Sequence, residues 1–179
     1  MSRAASPNPE AVIASAAAGD RAAFARIVAE HHEDMRRVCT FMTRDAALAD
    51  DATQAAWAIA WRKLDTVRQP ERLRPWLLRV AFIEAKHILR RQRRRAEIES
   101  VTDASARAGG TDPATEVEIY DLRVAMGRLE PDERALLALR YGAGLNATEL
   151  STVLGLSPSG VRTRLERLIK RMREELSDD

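Results

Sequence analysis

The last third of the chain carries signals for two helices separated by a tight turn. Asn146 is a favourable N-cap, and Glu149 follows three residues later, as a capping box requires. Gly155 can adopt the left-handed conformation that ends a helix. Ser157 is a second N-cap candidate, and Pro158 falls at the first helical position, where its missing N–H costs nothing. This order of residues predicts a helix-turn-helix.

The second of these helices has two chemically different faces. Its buried face is predicted from apolar residues at helical spacing, namely Val161, Leu165, Leu168 and Met172. Its other face carries groups that can meet the edges of DNA bases, namely Ser157, Ser159, Arg162, Thr163, Glu166 and Arg167. A short helix packed behind a turn, with arginines and hydroxyls in its first turns, fits the major groove of DNA.

The positive charge of the chain is concentrated in two segments, although the net charge is only +2. Residues 85–96 contain six basic residues and no acid, and residues 160–173 contain six basic residues and one acid. Two basic patches on a nearly neutral chain predict two contacts with a polyanion.

Composition restricts the fold and the class of function. The chain of 179 residues is 45% hydrophobic and only 4% aromatic, and it shows no strand-like alternation, so we expect an all-α protein. The single cysteine, Cys39, excludes an internal disulfide, and His31, His32 and His87 are too scattered to predict a metal site. No phosphate-binding loop or nucleophile elbow is present, so we expect no cofactor, no small-molecule substrate and no enzymatic activity. With no long apolar run or signal peptide, we expect no membrane insertion and a cytoplasmic location.

Two small helical domains joined by a flexible linker are predicted. The first nine residues resemble a flexible leader, and residues 10–95 have helical periodicity that ends in a run of arginines. Residues 96–111 are small, polar and glycine-bearing, which is typical of a linker. The second domain is expected over residues 112–179 and contains the helix-turn-helix.

Three segments carry a resemblance to a known family. They are the acidic helix AALADDATQAAWAIAW at residues 46–61, the run RLRPWLLRVAFIEAKHILRRQRRR at residues 72–95, and ELSTVLGLSPSGVRTRLERL at residues 149–168. In their order and spacing they resemble the extracytoplasmic-function (ECF) subfamily of sigma-70 RNA polymerase sigma factors. The resemblance implies that residues 10–95 form sigma region 2 and residues 112–179 form sigma region 4.

The resemblance implies a role for the acidic helix in binding core RNA polymerase. In the family this helix docks on the clamp helices of the β′ subunit, and the matching residues here are Asp50, Asp51, Gln54, Trp57 and Trp61. Carboxylates beside aromatic anchors suit a partner surface with exposed arginines. The alternative is a solvated acidic helix whose tryptophans belong to the core.

The long basic helix corresponds to the family's reader of the promoter −10 element. The candidate DNA-binding residues are Arg79, Phe82, Lys86, Arg90 and Arg91. Many relatives have Arg-Asn where this chain has Phe82-Ile83, and Asp where it has His87. This departure leaves two interpretations open, because Phe82 can stack on an unpaired base or pack on a neighbouring helix.

The helix-turn-helix corresponds to the reader of the −35 element. The polar residues of its second helix are expected to meet bases, and the phosphate contacts are expected from Arg164, Lys170 and Arg171. The alternative is a basic, solvated helix surface.

Together these expectations describe a sigma factor that binds core RNA polymerase and directs it to promoter DNA. Its partners would be the β′ clamp helices, the β flap, promoter DNA and, as for many members of the family, an anti-sigma factor. The main alternative is a helix-turn-helix transcriptional regulator that acts without sigma function.

Overall fold

The structure is a computed structural model that describes residues 8–99 and 126–177. Most of the predicted linker and the predicted start of the second domain lie outside these ranges. The described residues form helices and turns and include no strand, so the prediction of an all-α fold is confirmed.

The first domain contains four α-helices. They are α1 (Pro9–Ala17), α2 (Arg21–Thr43), α3 (Ala46–Lys63) and α4 (Leu73–Glu99), with two 3₁₀ turns, Leu64–Thr66 and Pro70–Arg72, between α3 and α4. Helix α4 begins at Leu73, two residues before Pro75. Pro75 is tolerated because it lies in the first turn, where backbone N–H groups have no partner within the helix.

The second domain ends in the predicted helix-turn-helix. Its elements are a helical turn at residues 126–128, α5 (Pro131–Leu137), a π-helical segment (Ala138–Gly142), α6 (Ala147–Leu154) and α7 (Pro158–Ser177). The π-helical segment was not predicted, since apolar spacing cannot distinguish one π turn from a continuing α-helix.

Side-chain caps fix where several helices begin. Asp20 accepts hydrogen bonds from two amide groups in the first turn of α2, at 2.8 and 3.2 Å. Asp45 accepts one such bond at the start of α3, at 3.0 Å. The intervening Arg44 has a φ of 56° and ends α2 in the left-handed conformation. Capping satisfies N–H groups that a helix leaves unpaired at its first turn.

The buried apolar residues of the two domains form one continuous cluster, because the domains pack against each other. Met35, Leu77 and Leu78 are almost fully buried among α2, α3 and α4, and Leu136 and Leu150 are fully buried in the second domain. Across the boundary, α5 and the π-helical segment contact α2, while α6 contacts α4. The long helix of the first domain therefore lies directly against the helix-turn-helix.

Candidate nucleic-acid interface

The helix-turn-helix is held by the caps that its sequence predicts. Asn146 Oδ1 accepts from the second and third amides of α6 at 2.9 and 3.0 Å, and Glu149 accepts from the Asn146 N–H at 2.8 Å. Gly155 ends α6 with a φ of 69°. Ser157 Oγ accepts from the N–H of Gly160 at 3.0 Å and so caps α7. The predicted capping box, turn and second N-cap are confirmed.

Helix α7 buries the apolar face that was predicted and presents the polar face to solvent. All eight candidate −35 residues are exposed: Ser157, Ser159, Arg162, Thr163, Arg164, Glu166, Arg167 and Lys170. Within the described part of the chain, neither Arg162 nor Arg167 has an ion-pair partner. Their guanidinium groups are therefore available for a bidentate contact with guanine or for phosphates.

The next turns of α7 are engaged within the protein. Arg171 Nη2 donates to Glu133 Oε2 at 2.8 Å and so fastens the end of the recognition helix to α5. Burial of Glu133 opposes ionisation, but hydrogen bonds from Arg171 and from the backbone of Glu130 hold the pKa of Glu133 below its ordinary value. Lys170 remains exposed and lies 3.7 Å from Glu174. Arg171 thus supports the helix, and Lys170 is the better placed of the two for a phosphate.

The acidic helix α3 exposes its three polar candidates. Asp50, Asp51 and Gln54 all lie on the surface. Asp50 accepts a hydrogen bond from Arg36 Nε of the neighbouring α2 at 2.8 Å, and this bond raises the pKa of Arg36. A partner's arginine would have to compete with Arg36 for Asp50, whereas Asp51 has no such competitor within the described residues.

The two tryptophans of α3 occupy different environments. Trp57 is buried, and its Nε1–H donates to His32 Nδ1 at 3.2 Å. Trp61 is 38% exposed. The ring of Phe24 lies edge-on to both, with centroid distances of 5.7 Å to Trp57 and 4.7 Å to Trp61. Trp57 therefore belongs mainly to the core, while Trp61 forms the surface edge of an aromatic cluster.

The candidate −10 residues of α4 divide into two groups. Arg90 and Arg91 are exposed near the end of the helix. Arg79 donates to the backbone carbonyl of Thr152 in α6, and Lys86 Nζ lies 2.8 Å from Asp132 Oδ2 in α5. Phe82 is only 7% exposed, and the Lys86 ammonium lies 5.2 Å from its ring centroid. Three of the five candidates therefore lie against the second domain.

Sequence reasoning missed the side chain that anchors this domain contact. Arg134 of α5 is 8% exposed and donates to the carbonyls of Phe41 and Met42, each at 2.9 Å. These carbonyls belong to the last turn of α2, where helices leave C=O groups unpaired. Burial lowers the pKa of Arg134 from its usual value. An arginine that follows two acids in the first turn of a helix has no sequence feature that distinguishes a buried donor from a surface charge.

The cysteine predicted to have a packing role lies in the apolar core. Cys39 is buried, and burial raises the pKa of its thiol to about 11, which keeps it protonated at neutral pH. Within residues 8–99 and 126–177, no group of three or more His, Cys, Asp or Glu side chains is arranged to hold a metal ion. None of the helices in these two ranges combines the length and hydrophobicity needed to cross a membrane.

Two family models match the chain, one for each domain. The model described as Sigma-70 region 2 matches residues 27–95, and the model described as Sigma-70, region 4 matches residues 119–172. The first match ends within α4, and the second contains α5, α6 and α7 up to residue 172.

Relatives with sigma-factor names are similar over most of the chain. The probable RNA polymerase sigma factor RfaY of Xanthomonas campestris pv. campestris is 33% identical over 168 residues, which are 90% of this chain and 42% of RfaY. The RNA polymerase sigma factor CarQ of Myxococcus xanthus is 29% identical over 164 residues, which are 89% of this chain and 92% of CarQ. The chain thus spans less than half of RfaY and nearly all of CarQ.

Solved structures with the same fold include two sigma factors in complexes. CnrH in complex with the cytosolic domain of CnrY superposes with a TM-score of 0.71 at 25% identity, over 96% of this chain and 99% of CnrH. RpoE in complex with the anti-sigma factor NepR from Bartonella quintana superposes with a TM-score of 0.72 at 19% identity, over 87% of this chain and 98% of RpoE, and shows the shared fold.

A region 2 domain followed by a region 4 helix-turn-helix defines the class of sigma-70 factors. The chain belongs to the extracytoplasmic-function subfamily of this family. The predicted resemblance is therefore confirmed, and sigma function is supported over a helix-turn-helix regulator that acts without it. Sigma factors are non-enzymatic transcription initiation factors.

Proposed function

We propose that this sigma factor reads promoters at two points, with α7 on the −35 element and α4 on the −10 element, while α3 docks on core RNA polymerase. The observation that carries the proposal is the recognition face of α7, whose eight candidate residues are all exposed on a capped helix-turn-helix. This domain is joined in one chain to a second basic helix and an acidic helix, so DNA contact and polymerase contact belong to the same molecule.

The −35 assignment separates base contacts from phosphate contacts. Arg162 and Thr163 lie in the first turns of α7, which enter the groove when a helix-turn-helix binds. Arg162 is unpaired within the described residues, so it can reach the O6 and N7 atoms of a guanine, and Glu166 can accept from a cytosine amino group. Lys170, farther along the helix, is assigned to a phosphate.

The docking assignment centres on the exposed part of α3. Asp51 and Gln54 supply polar contacts, and Trp61 supplies a partly exposed aromatic anchor beside them on the same helix. Asp50 contributes if a polymerase arginine displaces Arg36. Trp57 has a structural role, because its buried ring supports the helix that carries Asp51, Gln54 and Trp61.

At the −10 element, Arg90 and Arg91 contact the phosphates of the melted strand, since both are exposed on the surface of α4. Arg79, Phe82 and Lys86 become available for DNA only when the second domain moves away from α4. The chain performs no catalysis of its own in this scheme, and it acts in the cytoplasm with the polymerase. The β flap, contacted by region 4, and an anti-sigma factor complete its proposed partners.

The proposal is tested by reconstitution with core RNA polymerase lacking any sigma factor. We expect the purified chain to form a complex with core polymerase and to support initiation from a promoter selected from random sequence. Asp51→Arg should weaken the complex, because it places a like charge against the partner's arginines, while Arg62→Glu at the far end of α3 serves as a charge-changing control. Failure of the wild-type chain to bind core polymerase at low salt would falsify the proposal.

A further inference from the structure

A cleft of about 340 Å³ lies between α4 and the helix-turn-helix domain. Four basic side chains line it: Lys86, Arg90 and Arg93 of α4, and Arg164 of α7. Its volume is at the lower end of the range found for sites that bind small molecules. The cleft therefore has the size of a small-ligand site and an unusual number of cations.

The acidic side chains of the cleft neutralise only two of these cations. Lys86 Nζ is 2.8 Å from Asp132 Oδ2, and Arg93 Nη2 is 3.7 Å from Glu130 Oε2. Both acids line the cleft together with their partners. Four cations and two carboxylates leave a charge of +2 on its walls. An anion can therefore enter without having to displace an existing ion pair.

The two cations that remain are Arg90 and Arg164. Both are exposed, and neither has an ion pair or a hydrogen bond within the described residues. Glu133, an acidic neighbour of Arg164, is already bound to Arg171 at 2.8 Å. Arg90 and Arg164 belong to different domains but line the same cleft. Two such guanidinium groups suit a phosphate, whose oxygens accept charge-assisted hydrogen bonds from both.

The cleft also has apolar surface. Leu89 of α4 and Pro131 of α5 line it, and both are partly buried. A planar base can cover these two side chains, because apolar contact is gained without breaking a hydrogen bond. A phosphate monoester carries a charge of about −1.5 to −2 at neutral pH, which matches the two unpaired arginines. A nucleoside monophosphate combines such a phosphate with a base.

We infer that this cleft binds a nucleoside monophosphate, with its phosphate between Arg90 and Arg164 and its base against Leu89 and Pro131. The site itself does not depend on the proposed function, and only its consequence for DNA rests on that function. There, Arg90 contacts phosphates of the melted strand, and Arg164 is a predicted phosphate contact at the −35 element. Nucleotide and DNA therefore compete for the same two guanidinium groups. A bound nucleotide lowers the affinity of the protein for DNA.

Isothermal titration calorimetry on the free, full-length protein tests the site, with AMP as the probe. Arg90→Gln and Arg164→Gln should each weaken AMP binding at least about tenfold, because each removes hydrogen bonds to a charged group. Arg91→Gln and Arg167→Gln are the matched controls and should leave AMP binding nearly unchanged. They lie on the same two helices, are also exposed and remove the same charge, but they do not line the cleft. Circular dichroism checks that all four variants keep their helix content.

Adenosine and inorganic phosphate test the two parts of the ligand separately. Adenosine should not bind, because it offers no anion to the arginines. Inorganic phosphate should bind more weakly than AMP, because it leaves Leu89 and Pro131 uncovered. The inference would be overturned by any of three results: no binding at about 1 mM AMP, equal losses in all four variants, or phosphate binding as tight as that of AMP.

Competition with DNA is measured by fluorescence anisotropy with an oligothymidine 20-mer. At an AMP concentration equal to its Kd, binding of the oligonucleotide to the wild type should weaken about twofold. Arg164→Gln, which leaves α4 intact, should lose this effect, and an unchanged affinity in the wild type would overturn the competition. Initiation assays with core polymerase separate the site from the proposed function. A chain without sigma function can still bind AMP, and a sigma factor that binds no AMP still initiates.

Discussion

Helices α4 and α7 are both strongly basic, and both are proposed to bind DNA, but they differ in what lies against them. The polar face of α7 is exposed over its first turns, and Arg162 and Arg167 have no ion-pair partner in the described structure. The middle of α4 is covered, with Phe82 buried and Lys86 paired to Asp132. Similar charge patterns in sequence therefore give one accessible and one masked surface.

The difference shows that the availability of a binding residue depends on its neighbours in space. On α7, Val161 and Leu165 bury the inner face and leave the outer face to solvent. On α4, the helix is long enough to pack on α2 and α3 with one face and on the second domain with another. The same residues can thus serve a domain contact in one state and DNA in another.

The largest expected effect is the loss of stability when a buried residue of the helix-turn-helix is shortened. Leu150 is fully buried in α6, so Leu150→Ala should lower the free energy of unfolding by about 2–5 kcal/mol. Urea denaturation followed by circular dichroism measures this change. Thr163→Ala, on the exposed face of α7, should change it by less than about 0.5 kcal/mol. Equal losses for both variants would contradict the burial of Leu150 in the core and the exposure of Thr163 on the surface.

A smaller effect is expected when α7, whose candidate DNA-binding residues are exposed, loses a contact with a base. Arg162→Ala should weaken initiation at the preferred −35 sequence by about 1–3 kcal/mol and relax the preference at one base position. Lys170→Ala should weaken initiation similarly at all −35 sequences, because a phosphate contact carries no sequence information. Transcription from a library of −35 variants, with reconstituted holoenzyme, separates the two outcomes. A uniform loss for Arg162→Ala would show that it contacts the backbone.

The capping box at the start of α6 should contribute about 1 kcal/mol. Asn146→Ala removes the acceptor of two amide hydrogen bonds, so the free energy of unfolding should fall by about that amount. Asn146→Ser keeps a capping oxygen and should recover most of the loss. Thermal unfolding of the three proteins compares them. If Ser and Ala behave alike, the cap does not support the helix-turn-helix.

The smallest expected effect concerns the pH dependence of stability through a buried histidine. His31 is buried in α2, and desolvation, with a contribution from Arg74, lowers its pKa from 6.5. Stability from neutral His31 is fully present above pH 6.5 and is lost as pH falls below that value, because the unfolded chain then binds a proton more readily. The melting temperature of the wild type should therefore decrease more between pH 7 and pH 5 than that of His31→Gln. Parallel profiles would exclude His31 as the titrating group.

The local signals of this sequence were reliable where structure depends on neighbours in the chain. Asn146, Gly155 and Ser157 were predicted to bound the helices of the helix-turn-helix, and each has the predicted geometry. Caps and left-handed ends depend on contacts within three or four residues, so a single sequence contains what decides them. The exposed polar face of α7 followed from helical periodicity for the same reason.

Features that depend on contacts between residues far apart in the chain could not be predicted. Nothing local marks Arg134 as the donor that joins the domains. It also donates to the nearby carbonyl of Leu129, but its other two acceptors, Phe41 and Met42, are more than ninety residues away in the chain. The two interpretations of Phe82 could not be separated either, since a phenylalanine on a helix can meet a base or a side chain equally well. The structure places it against the second domain, and its role on DNA stays a proposal.

The helix-turn-helix with its caps, the two basic segments and the family resemblance could all be predicted from the sequence. These properties arise from backbone preferences, periodicity and motif order, all of which are local or additive along the chain. The tertiary structure alone decided that region 4 lies on α4, that Asp132 neutralises Lys86 and that Arg134 completes the end of α2. Such contacts join segments far apart in sequence, and only the packing of the whole chain brings their atoms within hydrogen-bonding distance.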